Sequence, residues 1–373
     1  MPASGLRQLV SLAMPPGEEF LAAFDAAWNA GHAVLPLDPH APPAAHEQLL
    51  AAMRPDEPVD VDVALIIATS GSTGEPKGAQ LSRAAIEASG RATHARIGCE
   101  PDDVWLACLP WHHIGGLQVM LRARLLGIPL VVHERFDVER FAAVDATLTS
   151  LVPTQLTRLL EAGVDLSRFR AILLGGAAAP VELVERARAS GANVVTTYGM
   201  SETAGGCVYD GTPLNGVEVR TLDDGRLALR GPMLMSGYRL RPDLTAQALV
   251  DGWLVTNDLG HVSADGRVVV AGRADDVIIS GGENVAADAV ADVVRRHPGI
   301  RDAAVVGVPD DRWGQRVVAL VVGRVELEEL RDWCSRSLPR AALPRQVVVL
   351  DELPQLPSGK LDRLAARRLA GAG

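Results

Sequence analysis

The chain has 373 residues, of which 48% are hydrophobic, and carries a formal net charge of −10. This length and apolar content predict a large core divided among more than one domain. The acidic balance argues against general affinity for nucleic acid or anionic membranes. The four cysteines, Cys99, Cys108, Cys207 and Cys334, have no CxxC spacing, which argues against a zinc ribbon and predicts a reducing, cytoplasmic environment.

The N-terminus and the longest uncharged stretch bear on targeting and membrane insertion. Residues 1–5 lack a charged segment followed by an apolar one, so no signal peptide is expected. Residues 104–121 contain no Asp, Glu, Lys or Arg but include a proline, two histidines and two glycines, which are costly in lipid. The stretch predicts a strand, a loop and the start of a helix, and no stable membrane insertion is expected.

The first two hundred residues or so alternate between strand and helix patterns. Short apolar runs predict strands at residues 65–68, 105–109, 130–132, 171–174 and 194–197, with helices at 153–161 and 180–190. Such alternation predicts an α/β fold with mostly parallel sheets and helices on their faces.

From about residue 211 the pattern changes. Alternating residues at 216–220, 226–230 and 267–270, with Asp-Gly turns between them, predict a small β subdomain at about 211–272. The boundary is expected at Asp275, giving an N-terminal domain of residues 1–274 and a C-terminal α+β domain of residues 275–373.

The chain has only two lysines, and both lie in loops rich in glycine and serine. Lys77 is near the end of TSGSTGEPKG at residues 69–78, and Lys360 ends PSGK at residues 357–360. A compact, rotatable ammonium can do what a planar guanidinium fork cannot, so both lysines are candidates for specific functions, the alternative being compositional drift. Glycines in the first loop let backbone amides approach an anion. Because Gly78 follows Lys77, it is not the phosphate loop of kinases and GTPases.

Residues 69–78 resemble the phosphate loop of the adenylate-forming superfamily, which includes acyl-CoA ligases, non-ribosomal peptide adenylation domains and luciferases. Residues 197–203, 256–260, 272–275 and 357–360 match further motifs in the family's order. The resemblance runs from about residue 60 to the C-terminus. It implies a large N-terminal domain followed by a small mobile one, with ATP, Mg²⁺ and coenzyme A as ligands.

The resemblance also implies residue roles. Glu202 would hold Mg²⁺ at the ATP phosphates, a task suited to a carboxylate, and Ser201 would donate to the α-phosphate. Tyr198 would stack on adenine, and Asp258 would bind the ribose hydroxyls. From the residues alone, Glu202 and Asp258 could equally be helix-terminal and turn carboxylates. The implied nucleotide-binding set is Thr69, Ser70, Gly71, Ser72, Thr73, Gly74, Lys77, Gly175, Gly176, Ala177, Thr197, Tyr198, Gly199, Asp258 and Arg273.

Further roles concern the C-terminal domain. Lys360 would be catalytic, because a mobile cation lowers the barrier when a carboxylate attacks the α-phosphate. Asp275 resembles the hinge about which this domain rotates between half-reactions. After rotation, Gly281 and Gly282 would let the thiol arm of coenzyme A pass close to the backbone.

The acid to be activated is indicated by other segments. Residues 109–116 resemble the family's acyl-pocket entrance, which gives His113 a catalytic or substrate-contact role, the alternative being a structural histidine. Residues 150–160 and 173–180 most resemble the o-succinylbenzoate–CoA ligases of menaquinone biosynthesis, whose substrate is a dicarboxylate. Its second carboxylate needs a cation or donors if it is buried. Arg122 aligns with an arginine at the subfamily's acyl site, with Gly199 also contacting substrate, although Arg122 and Arg124 could be solvated helix charges.

The resemblance therefore predicts an AMP-forming acid–thiol ligase that makes o-succinylbenzoyl-CoA, AMP and pyrophosphate. Alternatives are another aromatic or short acid, a carrier protein as acceptor, or a nucleotide-binding protein without catalysis. The phosphate loop begins at residue 69, earlier than in most superfamily ligases, which fits the short menaquinone enzymes. The oligomeric state stays open, with a homodimer among the options.

Overall fold

The computed structural model describes residues 6–70, 76–355 and 361–371. The chain divides into two compact units. The first comprises Met1–Val219, Ala228–Val255 and Asp265–Val268, and the second comprises Arg220–Leu227, Thr256–Ala264 and Val269–Gly373. The predicted domain boundary at Asp275 concerns which part of the chain moves as one body, and it stays a prediction.

Two of the described helices illustrate capping signals that are visible in the sequence. Ser82 accepts a hydrogen bond from the Ala85 amide at the start of α3, and Gly127 ends α4 in the left-handed conformation. None of the described helices is long and apolar enough to cross a membrane. In chain order the helices are α1 (Glu18–Asn29), α2 (Pro43–Met53), α3 (Arg83–Ile97), α4 (Ile114–Leu126), α5 (Val138–Ala143), α6 (Pro153–Glu161), α7 (Val181–Ala189), α8 (Pro242–Ala248), α9 (Ala287–Arg295), α10 (Leu327–Ser335) and α11 (Arg363–Gly371).

The strands alternate with these helices in the first half of the chain and dominate its middle. The earlier ones are β1 (Leu6–Arg7), β2 (Leu9–Leu12), β3 (Ala33–Pro36), β4 (Val59–Asp60), β5 (Val63–Ser70), β6 (Pro76–Ser82), β7 (Trp105–Ala107), β8 (Leu130–Val132), β9 (Leu148–Leu151), β10 (Ala171–Leu174), β11 (Val194–Met200), β12 (Gly205–Tyr209) and β13 (Thr212–Pro213). The later ones are β14 (Glu218–Thr221), β15 (Arg226–Arg230), β16 (Gly237–Tyr238), β17 (Leu249–Val250), β18 (Trp253–Val262), β19 (Val268–Arg273), β20 (Val277–Ser280), β21 (Glu283–Ala286), β22 (Ile300–Asp310), β23 (Gly314–Gly323) and β24 (Gln346–Leu350).

The largest sheet of the first unit has the strand order β13-β12-β11-β10-β9-β7-β8. Its β8, β7, β9, β10 and β11 are parallel, whereas β12 and β13 run antiparallel. Parallel strands buried on both faces need continuous apolar runs, and β10 is buried throughout. Because the carboxyl ends of parallel strands meet at one edge, the segments after Ala107, Leu174 and Met200 lie along that edge.

A second sheet of the first unit has the order β16-β6-β5-β3-β2. Strands β2, β3 and β5 are parallel, and β6 returns antiparallel to β5, with Thr69 opposite Lys77. The predicted strand before the phosphate loop is therefore present. Residues 71–75 lie outside the described part of the chain.

The second unit contains a further mixed sheet of order β21-β20-β23-β22, with β24 parallel to β23. Helix α9 buries Val290, Ala291 and Val294 against this sheet in an apolar core that includes Val305 and Val317. Strands β14, β15, β17, β18 and β19 form a separate sheet, while β13 and β16 pair in other sheets; the predicted β subdomain at about 211–272 stays a prediction. The predicted α/β fold is confirmed, and its sheets are mixed, because antiparallel strands flank the parallel ones.

Candidate active site

A compact polar cluster of the first unit joins Lys77, Glu202 and Tyr238. The Lys77 ammonium lies 3.1 Å from Glu202 Oε1 and 2.7 Å from the Tyr238 hydroxyl, which donates to the same carboxylate oxygen at 2.6 Å. The ammonium also lies 4.2 Å from the centre of the Tyr238 ring. Two of these residues were predicted from motifs 125 positions apart in the chain, and the structure brings them into contact.

Sequence reasoning missed Tyr238, which is buried. Burial, together with the adjacent Glu202 carboxylate, raises the pKa of Tyr238, so its hydroxyl stays protonated and able to donate. A signal was available, because the chain has only three tyrosines. Tyr238 is thus a scarce residue type in a Ser-Gly-Tyr segment, the same kind of signal that the two lysines give.

A short turn after β11 positions Glu202. Residues Ser201–Thr203 form a single 3-10 turn, in which the Thr203 hydroxyl accepts from the Met200 amide at 2.9 Å. The same hydroxyl donates to the Gly205 carbonyl at 2.7 Å. Because Glu202 also accepts the Met235 amide at its carbonyl, at 2.8 Å, backbone contacts fix the turn on both sides. The side chain is 10% exposed.

The glycines beside this turn permit close strand packing. A Cβ on Gly199 would lie 2.1 Å from the Gly205 carbonyl oxygen, and one on Gly175 would lie 2.2 Å from Thr197 Oγ1. The ladder between β11 and β12 shifts register between Tyr198 and Gly199. The structure thus brings Gly175, Thr197 and Gly199 together at the ends of β10 and β11. Of the neighbours predicted with them, Gly176 has φ +82° and Ala177 is exposed.

Arg122 is buried in α4, with 4% exposure, so the alternative of a solvated helix charge is wrong for it. Its Nη2 lies 3.4 Å from the Tyr209 hydroxyl and its guanidinium lies 5.9 Å from the Trp105 ring centre. Its Nε has no hydrogen-bond partner among the described residues, and no described carboxylate pairs with it. Arg124, by contrast, forms a partly exposed ion pair with Asp25 at 2.6 Å.

Arg122 lies close to Gly205, the first residue of β12. A Cβ on Gly205 would lie 3.7 Å from Arg122 Nη2. Gly205 in turn supplies the carbonyl that lies against Gly199. Arg122 is therefore separated from the predicted nucleotide residues by the backbone of one strand.

His113 begins α4 as its N-terminal cap residue, and the amides of Gly116 and Leu117 donate to its carbonyl. Its ring centre is 4.3 Å from that of His112. Burial lowers the pKa of His112, although Asp38 at 4.0 Å opposes the shift. The loop is tightly packed, because a Cβ on Gly116 would lie 2.2 Å from the Pro110 carbonyl oxygen.

In the second unit, Arg273 joins two predicted residues. Its Nε and Nη2 donate to the Asp275 carboxylate at 2.8 and 2.9 Å, and its Nη1 donates to Asp258 at 3.3 Å. Hydrogen bonding to Asp275 raises the pKa of Arg273. Burial alone would raise the pKa of Asp275, but the hydrogen bond from Arg273 lowers it. Asp258 is itself buried.

The predicted thiol passage lies against an aromatic ring and a cation. The Gly281 amide donates to the Trp313 carbonyl at 2.8 Å, and a Cβ on Gly281 would lie 3.2 Å from the Trp313 ring. Gly281 and Gly282 both have positive φ, a conformation that other residues adopt at a cost. The Arg345 guanidinium lies 3.5 Å from the Trp313 ring centre.

Some predicted residues cannot be placed. Gly71, Ser72, Thr73, Gly74 and Lys360 fall outside the described residues, as does the side chain of Ser70. Within the described ranges, no group of three or more His, Cys, Asp or Glu could hold a metal ion. The Glu202 carboxylate suits Mg²⁺, which proteins bind through one or two carboxylates together with substrate phosphates.

Comparison with known proteins places this geometry in a family. The AMP-binding enzyme family matches residues 50–239, and the AMP-binding enzyme C-terminal domain matches residues 289–360. The chain is 44% identical over 351 residues to the “Probable 2-succinylbenzoate–CoA ligase” of Mycobacterium tuberculosis, covering 88% of this chain and 90% of that protein. It is 36% identical over 334 residues to the 2-succinylbenzoate–CoA ligase of Bacillus anthracis, covering 82% and 69%.

Solved structures agree with these sequence matches. The o-succinylbenzoate CoA synthetase of Bacillus subtilis, in complex with the acyl-adenylate intermediate OSB-AMP, superposes with TM-score 0.87 and 28% identity over 96% of this chain and 88% of that one. ATP-bound MatB from Rhodopseudomonas palustris, at 24% identity and TM-score 0.89 over 97% and 88%, shows the shared fold. The chain therefore belongs to the AMP-binding enzyme family, the adenylate-forming superfamily that its motifs resemble.

Proposed function

We propose that the chain is an ATP-dependent ligase that joins 2-succinylbenzoate (o-succinylbenzoate) to coenzyme A. The buried guanidinium of Arg122 carries the assignment of the acid, because it has no carboxylate partner among the described residues. A buried cation is costly unless an anion pairs with it. The relatives named for this reaction, at 44% and 36% identity, give independent support.

The reaction has two steps. First, an oxygen of the succinyl carboxylate attacks the α-phosphorus of ATP, and pyrophosphate leaves to give the acyl-adenylate. Second, the thiol of coenzyme A loses its proton and attacks the acyl carbon, so that the carbon–sulfur bond forms and AMP leaves. Both steps bring anions together, so the protein contributes mainly charge and position.

Lys77 and Glu202 would serve the phosphates in the first step. Lys77 lies at the start of β6, opposite Thr69 of β5, and reaches Glu202 at 3.1 Å. Magnesium, when bound, neutralises phosphate charge, and Glu202 would be its protein ligand. Ser201, next to Glu202 in the same turn, would donate to the α-phosphate, and Lys360 would supply a second cation at the attacking carboxylate.

The backbone at Gly175, Gly199 and Thr197 would form the surface on which adenine and the acyl chain bind. Glycine permits the strands beneath that surface to pack closely, because a Cβ on either glycine would collide with its protein neighbours. Tyr198 would stack on the base, with Gly176 and Ala177 lining it. His113, at the start of α4, would contact the acid.

Arg122 would bind the benzoate carboxylate that is not activated. It lies behind Gly205, whose carbonyl contacts the Gly199 position, so its charge is within one strand of the proposed acyl site. Its long hydrogen bond of 3.4 Å to Tyr209 leaves the guanidinium weakly satisfied. A bidentate carboxylate would satisfy it far better.

Residues of the second unit would act on the ribose and on the thiol. Asp258 would accept hydrogen bonds from the ribose hydroxyls. Arg273 forms ion pairs with Asp258 and with the predicted hinge residue Asp275. Gly281 and Gly282 would pass the pantetheine arm beside Trp313, and the cation of Arg345 complements the phosphates of coenzyme A. Coenzyme A as the acceptor, a cytoplasmic location and a homodimer among the oligomeric options remain parts of the proposal. The cytoplasmic location is supported by the four cysteines, which are all free thiols.

The test is pyrophosphate release from MgATP with a panel of acids. We expect release with 2-succinylbenzoate but not with benzoate, succinate or fatty acids, followed by AMP and thioester only when coenzyme A is added. Release with a different acid would refute the substrate and keep the ligase. Binding of ATP with no release for any acid would refute the ligase and support the non-catalytic alternative.

A further inference from the structure

Tyr238 occupies the centre of the Lys77–Glu202 contact. We propose that Tyr238 is a positioning residue whose hydroxyl binds both the Lys77 ammonium and the Glu202 carboxylate and so fixes them in the arrangement that MgATP requires. The inference rests on the proposed function, since it assigns Lys77 and Glu202 to the phosphates and Mg²⁺. Tyr238 itself was not among the residues expected to contribute.

Hydrogen-bond chemistry fixes the direction of each contact. An ammonium only donates and an ionised carboxylate only accepts, whereas a phenol hydroxyl does both. The hydroxyl must therefore accept from Lys77 at 2.7 Å and donate to Glu202 at 2.6 Å. Both charged groups are thus bound to one neutral oxygen, in addition to their direct contact at 3.1 Å.

The backbone of Tyr238 is held in place, which a positioning residue requires. Strand β16 pairs with β6, the strand of Lys77, with Tyr238 opposite Ala79. The Tyr238 amide donates to Thr245 Oγ1 at 2.8 Å. The next residue, Arg239, is buried and donates to the carbonyls of Met53, Arg54, Glu57 and Pro58 at 2.7 to 3.1 Å.

Lys77, by contrast, reaches the cluster on a flexible stem with several rotatable bonds. The Tyr238 ring restrains it, since the ammonium lies 4.2 Å from the ring centre. Without the hydroxyl, Lys77 and Glu202 keep their direct contact at 3.1 Å but lose the shared hydrogen-bond partner that fixes the positions of both groups. Each would then be less well placed for the β- and γ-phosphates and for Mg²⁺.

The proposal predicts a loss that depends on those phosphates. Tyr238→Phe keeps the buried ring and removes one oxygen that bonds two charged groups. We expect MgATP affinity, measured by calorimetry without acid or coenzyme A, to fall about 10- to 100-fold, the range for hydrogen bonds to charged groups. AMP affinity should be unchanged, because AMP lacks the β- and γ-phosphates. The Mg²⁺ concentration for half-maximal pyrophosphate release should rise.

Two controls separate positioning from damage. Tyr209→Phe removes the other buried tyrosine hydroxyl, which contacts Thr93 at 2.9 Å, and should leave MgATP affinity unchanged. In the Lys77→Met background, Tyr238→Phe should weaken MgATP binding much less than it does alone, because one partner is already gone. Independent effects of the two substitutions would overturn the coupling.

Two results would overturn the proposal outright. In the first, Tyr238→Phe keeps the wild-type affinity for MgATP and the wild-type Mg²⁺ dependence. In the second, its affinities for AMP and for MgATP fall equally, which indicates a purely structural role. If Tyr238→Phe fails to fold, Thr245→Val, which loosens the Tyr238 backbone, should produce the same selective loss in weaker form, and its absence would count against the proposal. Binding without acid keeps this test separate. A wild-type protein that binds MgATP yet activates no 2-succinylbenzoate would refute the proposed function alone.

Discussion

Replacing Arg122 by methionine tests how the second carboxylate is recognised. Methionine matches the unbranched stem of arginine and removes the charge. Arg122 is 4% exposed, its described hydrogen bond is 3.4 Å long, and its aromatic contact at 5.9 Å is near the outer limit for such interactions. The protein therefore satisfies this cation poorly, and the substrate carboxylate would be its main partner.

The expected magnitude follows from the burial of the pair. Removing one partner of a buried charge pair costs about 3–5 kcal/mol, and every 1.4 kcal/mol corresponds to about a tenfold change. The kcat/KM for 2-succinylbenzoate should thus fall about 100-fold or more. The same factor should separate 2-succinylbenzoate from 4-oxo-4-phenylbutanoate, which lacks the benzoate carboxylate, in the wild-type protein.

The assay is pyrophosphate release with both acids, for the wild type, Arg122→Met and the matched control Arg124→Met. Arg122→Met should lose discrimination between the two acids, whereas Arg124→Met, which breaks only the Asp25 pair, should retain it. The thermal midpoint of Arg122→Met should not fall, because a poorly paired buried charge is removed. Equal loss toward both acids, or wild-type discrimination in Arg122→Met, would refute the reasoning.

Three further predictions concern the packing of Gly199, the role of Lys360 and the pH dependence of stability. Gly199→Ala should destabilise the chain by about 3 kcal/mol, because its Cβ would meet backbone that cannot rotate away. Gly115→Ala is the control and should not destabilise it, because a Cβ on Gly115 has no atom within 4 Å. Equal urea midpoints for the two variants would contradict this prediction. Lys360→Ala should abolish pyrophosphate release while sparing thioester formation from supplied acyl-adenylate, and equal loss in both steps would contradict its role. Burial and, to a smaller extent, the Arg122 charge lower the pKa of His94 from 6.5 to about 4. Between these pH values only the unfolded chain binds this proton, so the free energy of unfolding should decline as the pH falls from 6.5 towards 4. His94→Leu should flatten that decline, and an unchanged pH profile of stability would contradict the prediction.

Several elements could be predicted because one physical signal determines them. Ala171–Leu174 and Pro153–Glu161 have the bounds that the sequence indicates, since a short apolar run and a proline-initiated amphipathic segment each have one reading. β11 extends from the predicted Thr197 to Met200. Its last residues pair with β12 across a register shift, and pairing between strands is a tertiary property that apolar periodicity does not report.

The site divides in the same way. Lys77 was predicted because its glycine-rich loop carries chemical meaning in a single stretch, whereas the role of Glu202 followed from the resemblance of residues 197–203 to a family motif. Tyr238 was missed because its role arises only when β16 lies beside β6, 161 positions from Lys77. The burial of Arg122 was left open, since α4 is buried on most of its surface rather than along one stripe, and a sequence without a polar face does not show which side meets solvent.

The most direct test of the account follows one oxygen atom. We would supply 2-succinylbenzoate labelled with ¹⁸O in the succinyl carboxylate, together with MgATP and coenzyme A, and analyse the AMP by mass spectrometry. Attack of that carboxylate on the α-phosphorus, followed by thiol attack on the acyl carbon, transfers one labelled oxygen to each AMP. We predict singly labelled AMP and unlabelled pyrophosphate. Label in pyrophosphate, or unlabelled AMP alongside labelled thioester formation, would contradict adenylation of the succinyl carboxylate.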